Sequence, residues 1–203
     1  MLIEHRGSRP SISEQATVAS TAVIVGDVTI ASGARILHGA VLSAEDGSIF
    51  VGEDSVVMEQ TVVRGRRGHN THIGRSVMIG PHAHINGATI EDNCFIATGA
   101  SLFPGAIVRA GAEVRINGVV QVNTVVPGDA VVPIAWVAVG NPAQLFSPDR
   151  HDEIWAVQQT LDFAGTVYGA GADTTMAGIM RGQSEFYGAH RDDIEVAPLP
   201  PTE

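Results

Sequence analysis

The sequence predicts a parallel β-helix, and two observations carry this prediction: aliphatic residues recur at every sixth position, and the composition is poor in aromatic rings but rich in glycine. Of the 203 residues, 44% are hydrophobic but only 5% are aromatic, and 23 are glycines. A core filled by aliphatic and small side chains suits tightly coiled, repetitive β-structure. We therefore expect a mainly β protein with one large domain.

The period of six extends from residue 12 to residue 126. An amphipathic helix would need apolar spacings of three and four, and a half-buried strand would alternate by two, so neither explains the pattern. With three aliphatic positions per triangular turn, the repeat gives about six coils stacked ~4.8 Å apart. The positions are Ile12, Val18, Ile24, Ile30, Ile36 and Leu42; after a three-residue insertion, Val51, Val57 and Val63; and after four extra residues, Ile73, Ile79, Ile85, Ile90, Ile96, Leu102, Ile107, Val114, Val120 and Val126.

Segments without the repeat flank the coil. Trp136 and the turn Gly140-Asn141-Pro142-Ala143 follow it in a return segment, and an apolar stripe then predicts a C-terminal α-helix. The last residues show no period and predict an extended tail. The expected division is an N-terminal strand segment (1–11), the β-helix (12–132), the return segment (133–148), the helix (149–169) and the tail (170–203).

Charge and targeting signals narrow the partners. The net charge of −10 argues against binding to nucleic acid or to an anionic membrane surface, because both need a basic face. No stretch approaches the ~18 apolar residues of a membrane span. The opening MLIEHRGSRP lacks the apolar core of a secretory signal, and one cysteine cannot form a disulfide within the chain. The expectation is a cytoplasmic protein with neither nucleic-acid nor membrane partners.

Several motifs together resemble the γ-carbonic-anhydrase-like family of left-handed β-helix proteins. They are the opening MLIEHRGSRPSISEQATV, the phrase AVIVGDVTI, the two insertion points, the GNPA turn and the C-terminal helix, over roughly residues 1–168. The resemblance implies a left-handed coil, an exception to the usual crossover rule, and a homotrimer with sites between subunits. It also implies zinc, iron or cobalt held by three histidines. Hexapeptide acyltransferases share the repeat and the GNPA turn.

The metal positions of that family are not histidines in this sequence. A guanidinium is a permanent cation, proline has no side-chain donor atom, and an amide oxygen is a poor zinc ligand. Ordinary carbonic anhydrase chemistry, which needs a metal-bound hydroxide, is therefore not expected. The matched positions hold Arg64, Pro81 and Asn86 in place of the three ligands, Ser43 and Glu45 in place of an Arg-x-Asp pair, and Met58 in place of a glutamine.

The repeat register instead predicts two polar columns. Ser43, Arg64 and Asn86 each follow an aliphatic of the third face, so they should stand ~5 Å apart in one column. His38 and Glu59 fall in a second column, which a trimer of the family type would bring against the first column of a neighbouring subunit. Such a pocket would bind a small anion and transfer a proton. The alternative interpretation is that both columns are polar contacts of the trimer.

The insertion RGRRGHNTH and the phrase PHAHIN supply further candidates. Clustered arginines favour anion binding, so Arg66 and Arg67 are candidate substrate-binding residues, and His69 is a second candidate proton carrier. Surface charge or ion pairs between subunits would explain them equally well. Cys94 occupies a small position of the repeat and is expected to be a buried structural thiol. Zinc or iron held by neighbouring histidines is a further hypothesis, whose ligands would come from His69, His72, His82 and His84.

Four functions remain open. The first is a diverged lyase, hydratase or isomerase that acts on a small anionic substrate, with Arg64 binding the anion and His38 or His69 moving a proton. The second is a non-catalytic scaffold or binding subunit. The third is acyl transfer from acyl-coenzyme A, and the fourth is residual carbonic anhydrase activity with relocated ligands. No cofactor is firmly predicted, and the metal content of the purified protein separates these hypotheses best.

Overall fold

The aliphatic residues of the repeat line the inside of a coil of short parallel strands, as the sequence predicts. The computed structural model describes residues 1–171 and 173–197. Side chains of a strand alternate between its two faces, so one residue of each short strand points inward. Ile24, Leu42 and Ile85 are accordingly fully buried in one continuous aliphatic core. The predicted mainly β solenoid with parallel stacked coils is confirmed.

Three faces run along the solenoid, and two long strands cross a corner to serve two of them. The first face comprises Thr17–Val18, Arg35–Ile36, Val56–Val57, Met78–Ile79, Phe95–Ile96, Glu113–Val114 and Val131–Val132. The second comprises Ser11–Ile12, Thr71–Ile73, Thr89–Ile90, Ile107–Val108, Val125–Val126 and the ends of Val23–Ile30 and Val41–Val51. The third comprises Leu2–Glu4, Val62–Gly65, His84–Asn86, Ser101–Leu102, Val119–Val120, Val137–Val139, the antiparallel Gln144–Phe146 and the beginnings of the two long strands.

The register differs from the expected one at its C-terminal end. Val108, not Ile107, is the buried residue of its strand, with 0% of its surface exposed. The period of six runs without an insertion from Ile96 through Leu102 and Val114, so position 108 faces the core. The coil also continues past residue 132, because Val137–Val139 pairs with Val119–Val120 and completes a seventh turn.

The two insertions produce different structures at one corner. The first lengthens a strand, Val41–Val51, so that it crosses the corner without a break. The second forms a tight loop closed by two backbone hydrogen bonds, from Arg66 N to His69 O (3.0 Å) and from His69 N to Arg66 O (2.8 Å). Both insertions lie on the same edge of the molecule, since Ala44 pairs with Gly65 in adjacent strands.

Two short helices stand where the sequence predicts one. Helix α1 (His151–Gln158) packs Ile154 against Val139 and Phe146, and helix α2 (Phe163–Tyr168) follows it. The break falls at Asp162, which adopts a left-handed conformation with a φ of 49° and accepts a hydrogen bond from the backbone of the first turn of α2. A residue in that conformation cannot continue an α-helix. No helix in the described ranges is long and apolar enough to cross a membrane.

The segment expected to be an extended tail is largely folded. Helix α3 (Met176–Tyr187) is capped by the Thr175 side chain, and a 3-10 helix (Gly188–Asp192) follows it. The strand Ile194–Val196 then pairs antiparallel with Leu2–Glu4 of the same chain. This pairing supplies partners to an edge strand that would otherwise expose its backbone groups. Residues 172 and 198–203 of the expected tail lie outside the described part of the chain.

Candidate functional site

The first predicted polar column is present in the expected register. Ser43 pairs with Arg64, and Arg64 pairs with Asn86, on three adjacent strands of the third face. Neighbouring strands lie ~4.8 Å apart, so the three side chains stand next to one another. Ser43 and Asn86 are each only 7% exposed. The Oδ1 atom of Asn86 is buried and has no hydrogen-bond partner among the described residues.

Aromatic residues at the end of α3 cover the arginines beside this column. Arg64 Nη1 donates to the Tyr187 hydroxyl at 2.9 Å, and its guanidinium carbon lies 5.6 Å from the centre of that ring. Arg66 lies 4.9 Å above the ring of Phe186 and donates through Nη1 to the carbonyl of Val167 at 2.5 Å. Cation–π contacts of this kind help to hold a helix that buries no residue of its own.

A cluster of histidines and carboxylates extends the column on the side of the N-terminus. Glu45 Oε1 accepts a hydrogen bond from Ser43 at 2.9 Å, and Glu45 Oε2 lies 3.0 Å from Nε2 of His190. Asp193 uses both oxygens, one 2.5 Å from Nδ1 of His5 and the other 2.8 Å from Nδ1 of His190. The two imidazole rings stack with centroids 4.4 Å apart. Three distant parts of the chain therefore meet in one hydrogen-bonded group.

Electrostatics favour opposite charges within this cluster. Burial tends to lower the pKa of His190, but hydrogen bonding to Asp193 and the negative charge of Glu45 outweigh it, so the pKa is raised. Burial tends to raise the pKa of Asp193, yet hydrogen bonds from His190 and His5 outweigh that effect and lower it. A protonated His190 between two carboxylates is the arrangement that these shifts stabilise.

The second predicted column lies away from the first within one chain. His38 is exposed at another corner of the coil, where its Nδ1 lies 2.8 Å from the Thr21 hydroxyl. Glu59 is half-buried at the same corner one coil further on, and its carbonyl accepts a hydrogen bond from His82 N at 3.0 Å. In the described residues no hydrogen bond or ion pair joins His38 or Glu59 to Arg64. Only a second subunit would bring the two columns together.

The four histidines proposed as alternative metal ligands do not converge. His72 is exposed and stacks on Phe50 with centroids 4.9 Å apart, and His82 is exposed at a turn with a φ of 58°. His69 belongs to the tight loop of the second insertion, where its backbone is hydrogen-bonded to Arg66. Within residues 1–171 and 173–197, the group of metal-ligand side chains whose donor atoms all lie within 4.8 Å of one another is His5, Glu45 and His190.

His84 is the member of that set that shares a strand with a residue of the polar column. It belongs to the same strand as Asn86, and its pKa is lowered first by burial and then by the positive charge of Arg64. The neutral imidazole is therefore favoured near neutral pH, and a neutral imidazole accepts protons. Nothing in the residue order favours His84 over the other three histidines, because its burial and its proximity to the charge of Arg64 arise only on folding.

Two cavities open at the corner with the insertions. One, of about 390 Å³, is lined by His5, Glu45 and the exposed Arg67, whose backbone N–H donates to Asp46 Oδ1 at 2.9 Å. The other, of about 340 Å³, lies between the coil and the C-terminal helices and is lined by residues that include Arg66, Arg67 and His69. Arg66 and Arg67, the two predicted substrate-binding arginines of the insertion, therefore border open space, although neither lies in the first polar column.

The structure does not support a family-type metal at the three matched positions. The Arg64 guanidinium is a cation that donates to the Tyr187 hydroxyl, and the carbonyl of Pro81 accepts the backbone N–H of Gly99 at 2.9 Å. Asn86 offers only an amide. No imidazole stands at any of the three places, so this set does not fit zinc or iron.

Cys94 lies in the core, as expected for a structural thiol. Its side chain is 2% exposed, and Sγ donates to the carbonyl of Arg109 at 3.1 Å. Burial raises the pKa of the thiol. A thiol in this state is a poor nucleophile, so Cys94 plays no part in the candidate site.

Comparisons with known proteins agree with the fold and the repeat. The family described as "Bacterial transferase hexapeptide (six repeats)" matches residues 70–104. The chain is 34% identical over 102 residues to γ-carbonic anhydrase 1, mitochondrial, from Arabidopsis thaliana, which covers 47% of this chain and 37% of the relative. It is 37% identical over 91 residues to a probable carbonic anhydrase from Methanocaldococcus jannaschii, covering 45% of this chain and 57% of the relative. The match thus spans less than two thirds of the length of either relative.

Two more comparisons concern a carboxysome assembly protein and a solved structure. The carboxysome assembly protein CcmM from Synechococcus elongatus is 33% identical over 110 residues, covering 48% of this chain and 20% of the relative. Among solved structures, LpxA from Acinetobacter baumannii is 14% identical with a TM-score of 0.47, and 91% of each chain is covered.

The seven-turn coil and the matched repeats are those of a left-handed β-helix built from hexapeptide repeats. Over about half of its length the chain is similar, at 34–37% identity, to proteins named a γ-carbonic anhydrase and a probable carbonic anhydrase.

Proposed function

We propose that the protein is a homotrimeric enzyme that binds a small hydroxylated anion beside Arg64 and Asn86 and acts on it as a lyase, hydratase or isomerase. The observation that carries this proposal is the buried, unpartnered Oδ1 of Asn86 one strand away from a guanidinium. An orphaned buried acceptor costs about 1–3 kcal/mol, so a ligand donor at that place is favoured. Relatives of this repeat class assemble as trimers, which supports the proposed assembly.

The two residues divide the recognition of the substrate. Arg64 donates once to Tyr187, and among the described residues its remaining N–H groups have no other hydrogen-bond partner, so they can hold a carboxylate or bicarbonate. The Asn86 oxygen accepts only from a donor, so it favours an anion that also carries an O–H group. A hydroxy acid and bicarbonate both meet this requirement, whereas a simple carboxylate such as acetate does not.

Imidazole groups near this anion carry out the proton transfer. His84 stands beside Arg64 in its neutral form and can take a proton from the substrate. In the proposed trimer, His38 and Glu59 of the partner subunit face the first column and exchange protons with the bound anion. Loss or addition of water next to a carboxylate uses these two functions, an anion site and a base.

Binding of a matched pair of ligands tests the proposal. Glycolate and acetate differ by one hydroxyl, and we expect calorimetry to show tighter binding of glycolate. Arg64→Gln should weaken both by at least tenfold, whereas Asn86→Ala should remove only the preference for glycolate. Arg75→Gln, at an exposed arginine paired with Asp92, is the matched control. Equal affinity of the wild type and Arg64→Gln would contradict the proposal.

The assembly and the reaction class have separate tests. Light scattering should give about three times the chain mass of 21.2 kDa. Because the three family ligand positions hold no imidazole, CO2 hydration at those positions should not exceed the rate of the buffer. A hydration rate that Arg64→Gln abolishes would show carbonic anhydrase activity at this column.

A second candidate function is acyl transfer, which the matched transferase-type repeats favour. It predicts that acetyl-coenzyme A binds to the trimer in calorimetry, and failure to bind would remove it. A scaffold role, suggested by the likeness to a carboxysome assembly protein, predicts no binding of either glycolate or acetyl-coenzyme A.

A further inference from the structure

We propose that His5, Glu45 and His190 bind a divalent transition-metal ion at a place different from the three family positions. The proposal does not depend on the anion site at Arg64. The donor atoms of the three residues all lie within 4.8 Å of one another. His5 and Glu45 are buried, with 2% and 4% of their surfaces exposed.

Asp193 orients both imidazoles for this role. Its two oxygens lie against the Nδ1 atoms of His5 and His190, at 2.5 and 2.8 Å. A carboxylate in that position holds the proton on Nδ1 and leaves the lone pair on Nε2 free. This is the partner that metal-binding histidines usually have, because it fixes both the tautomer and the orientation of the ring. One aspartate serves two histidines here.

Glu45 completes the set as the anionic ligand. Ser43 donates to its Oε1 atom at 2.9 Å, which leaves Oε2 facing Nε2 of His190 at 3.0 Å. In the metal-free protein a hydrogen bond joins these two atoms. A metal ion takes the place of this hydrogen bond, and because the imidazole binds it as the neutral ring, metal binding competes with protons.

The donor set selects the class of ion. Two imidazoles and one carboxylate are ligands of Zn²⁺, Fe²⁺ and Co²⁺, whereas Mg²⁺ and Ca²⁺ prefer oxygen atoms only. Three protein ligands leave coordination positions for water or substrate, and such open positions are typical of catalytic sites. The cavity of about 390 Å³ that His5 and Glu45 line gives access to them.

One residue competes with the metal. Arg6 Nε donates to Nε2 of His5 at 3.2 Å, and its guanidinium lies 5.3 Å from the centre of the Phe186 ring. The metal must displace this hydrogen bond, and the positive charge of Arg6 repels the bound ion. Arg6 is exposed, so its side chain has room to turn away. Removing it should therefore strengthen metal binding.

Metal binding would also join three distant parts of the chain. His5 follows the N-terminal strand, Glu45 lies in the first insertion, and His190 belongs to the 3-10 helix of the tail. An ion held by all three stabilises the folded tail by its binding free energy. The tail should thus resist proteolysis better with metal than without it.

Titration of the full-length, chelator-treated chain with Co²⁺ tests the site, read by the visible absorption of the bound ion. We expect saturation at one equivalent per chain. His190→Ala and Glu45→Gln should each weaken binding by at least tenfold, and Asp193→Asn, which removes only the orienting carboxylate, by about 10–100-fold. Arg6→Ala should tighten binding. His82→Ala, at an exposed histidine of the coil, is the matched control and should change nothing.

Each outcome of the titration decides the proposal. Absence of saturable binding, or equal losses in His82→Ala and His190→Ala, would overturn it. Circular dichroism identifies any variant that fails to fold, and Glu45→Gln, which keeps the side-chain volume, guards against this failure. Arg64→Gln should retain Co²⁺ binding while it loses glycolate binding, so failure of the metal site and failure of the anion site are distinguishable.

Discussion

At the scale of single residues, the coil depends on polar side chains placed in its core. Ser55 and Thr61 occupy small positions of the repeat and are fully buried. Ser55 Oγ donates to the carbonyl of Gly74 at 2.7 Å and accepts from Val77 N at 2.9 Å. Thr61 Oγ1 donates to the carbonyl of Gly80 at 3.0 Å. These hydroxyls supply hydrogen bonds to coil backbone groups that water cannot reach.

Removing one of these hydroxyls should therefore destabilise the coil. Ser55→Ala leaves a buried N–H and a buried carbonyl short of a partner, and we expect a loss of about 1–3 kcal/mol in the free energy of unfolding. Urea denaturation measures it. Ser32→Ala, whose hydroxyl donates to Gln15 at the surface, should change stability by less than ~0.5 kcal/mol. Similar losses in both variants would contradict this account.

The charge state of one histidine should control the attachment of the tail in metal-free protein. The folded-state pKa of His190 is raised above the ordinary value of 6.5. Its stabilising contribution is therefore fully present below pH ~6.5 and is lost as the pH rises through the folded-state pKa. With EDTA present, amide protection factors of Ile194–Val196 should fall over that range. In His190→Gln they should stay level, and a wild-type protection that rises with pH would refute the prediction.

At the scale of elements, close approach of neighbouring coils sets the sequence at the corners. A Cβ atom at Gly52 would lie 2.4 Å from the carbonyl oxygen of Gly74 in the next coil. A Cβ atom at Gly182 in α3 would have no neighbouring atom within 4 Å. Glycine is thus a requirement of stacking in the coil, whereas in the helix it brings only conformational cost.

These two glycines should respond oppositely to substitution. Gly52→Ala pushes two backbone segments apart, and we expect it to destabilise the coil by about 1–3 kcal/mol. Gly182→Ala should stabilise α3 by about 0.5–1 kcal/mol, because alanine is the better helix former. Thermal and urea unfolding measure the first, and protection of α3 amides measures the second. Tolerance of alanine at position 52 would mean that the coils are less closely stacked than described.

At the scale of the whole molecule, stability is concentrated in the coil and the first two helices. The large core cluster and the smaller cluster around Val139, Phe146 and Ile154 both lie before residue 170. Helix α3 buries none of its residues and is attached through rings, hydrogen bonds and one strand pair. The tail therefore brings His190 to the cluster with His5 and Glu45 and contributes little to the core of the coil.

Deletion of residues 171–203 should separate stability from metal binding. The shortened chain keeps every residue of the two clusters, so its melting temperature should fall by no more than a few degrees. It loses His190 and Asp193, so Co²⁺ binding should weaken by at least tenfold. Circular dichroism and the titration measure the two effects. Unfolding of the coil on deletion would show that the tail is part of the structural core.

The sequence by itself determined the coil, because a period of six is a local property and every repeat carries the same apolar spacing. It placed Ser43, Arg64 and Asn86 in one column, since strand register follows from counting residues. It failed by one position at Ile107, because the period of six points instead to Val108 as the inward residue. Whatever depends on repetition was therefore predictable from the residue order alone.

Only the tertiary structure decided what stands against that column. His5, Glu45 and His190 are separated by more than a hundred residues at their extremes and share no motif, so no spacing links them. The tail brings them together because its strand pairs with the N-terminal strand and its aromatic rings pack on arginines. These contacts join residues far apart in the chain and each occurs once, so no repeat in the sequence predicts them.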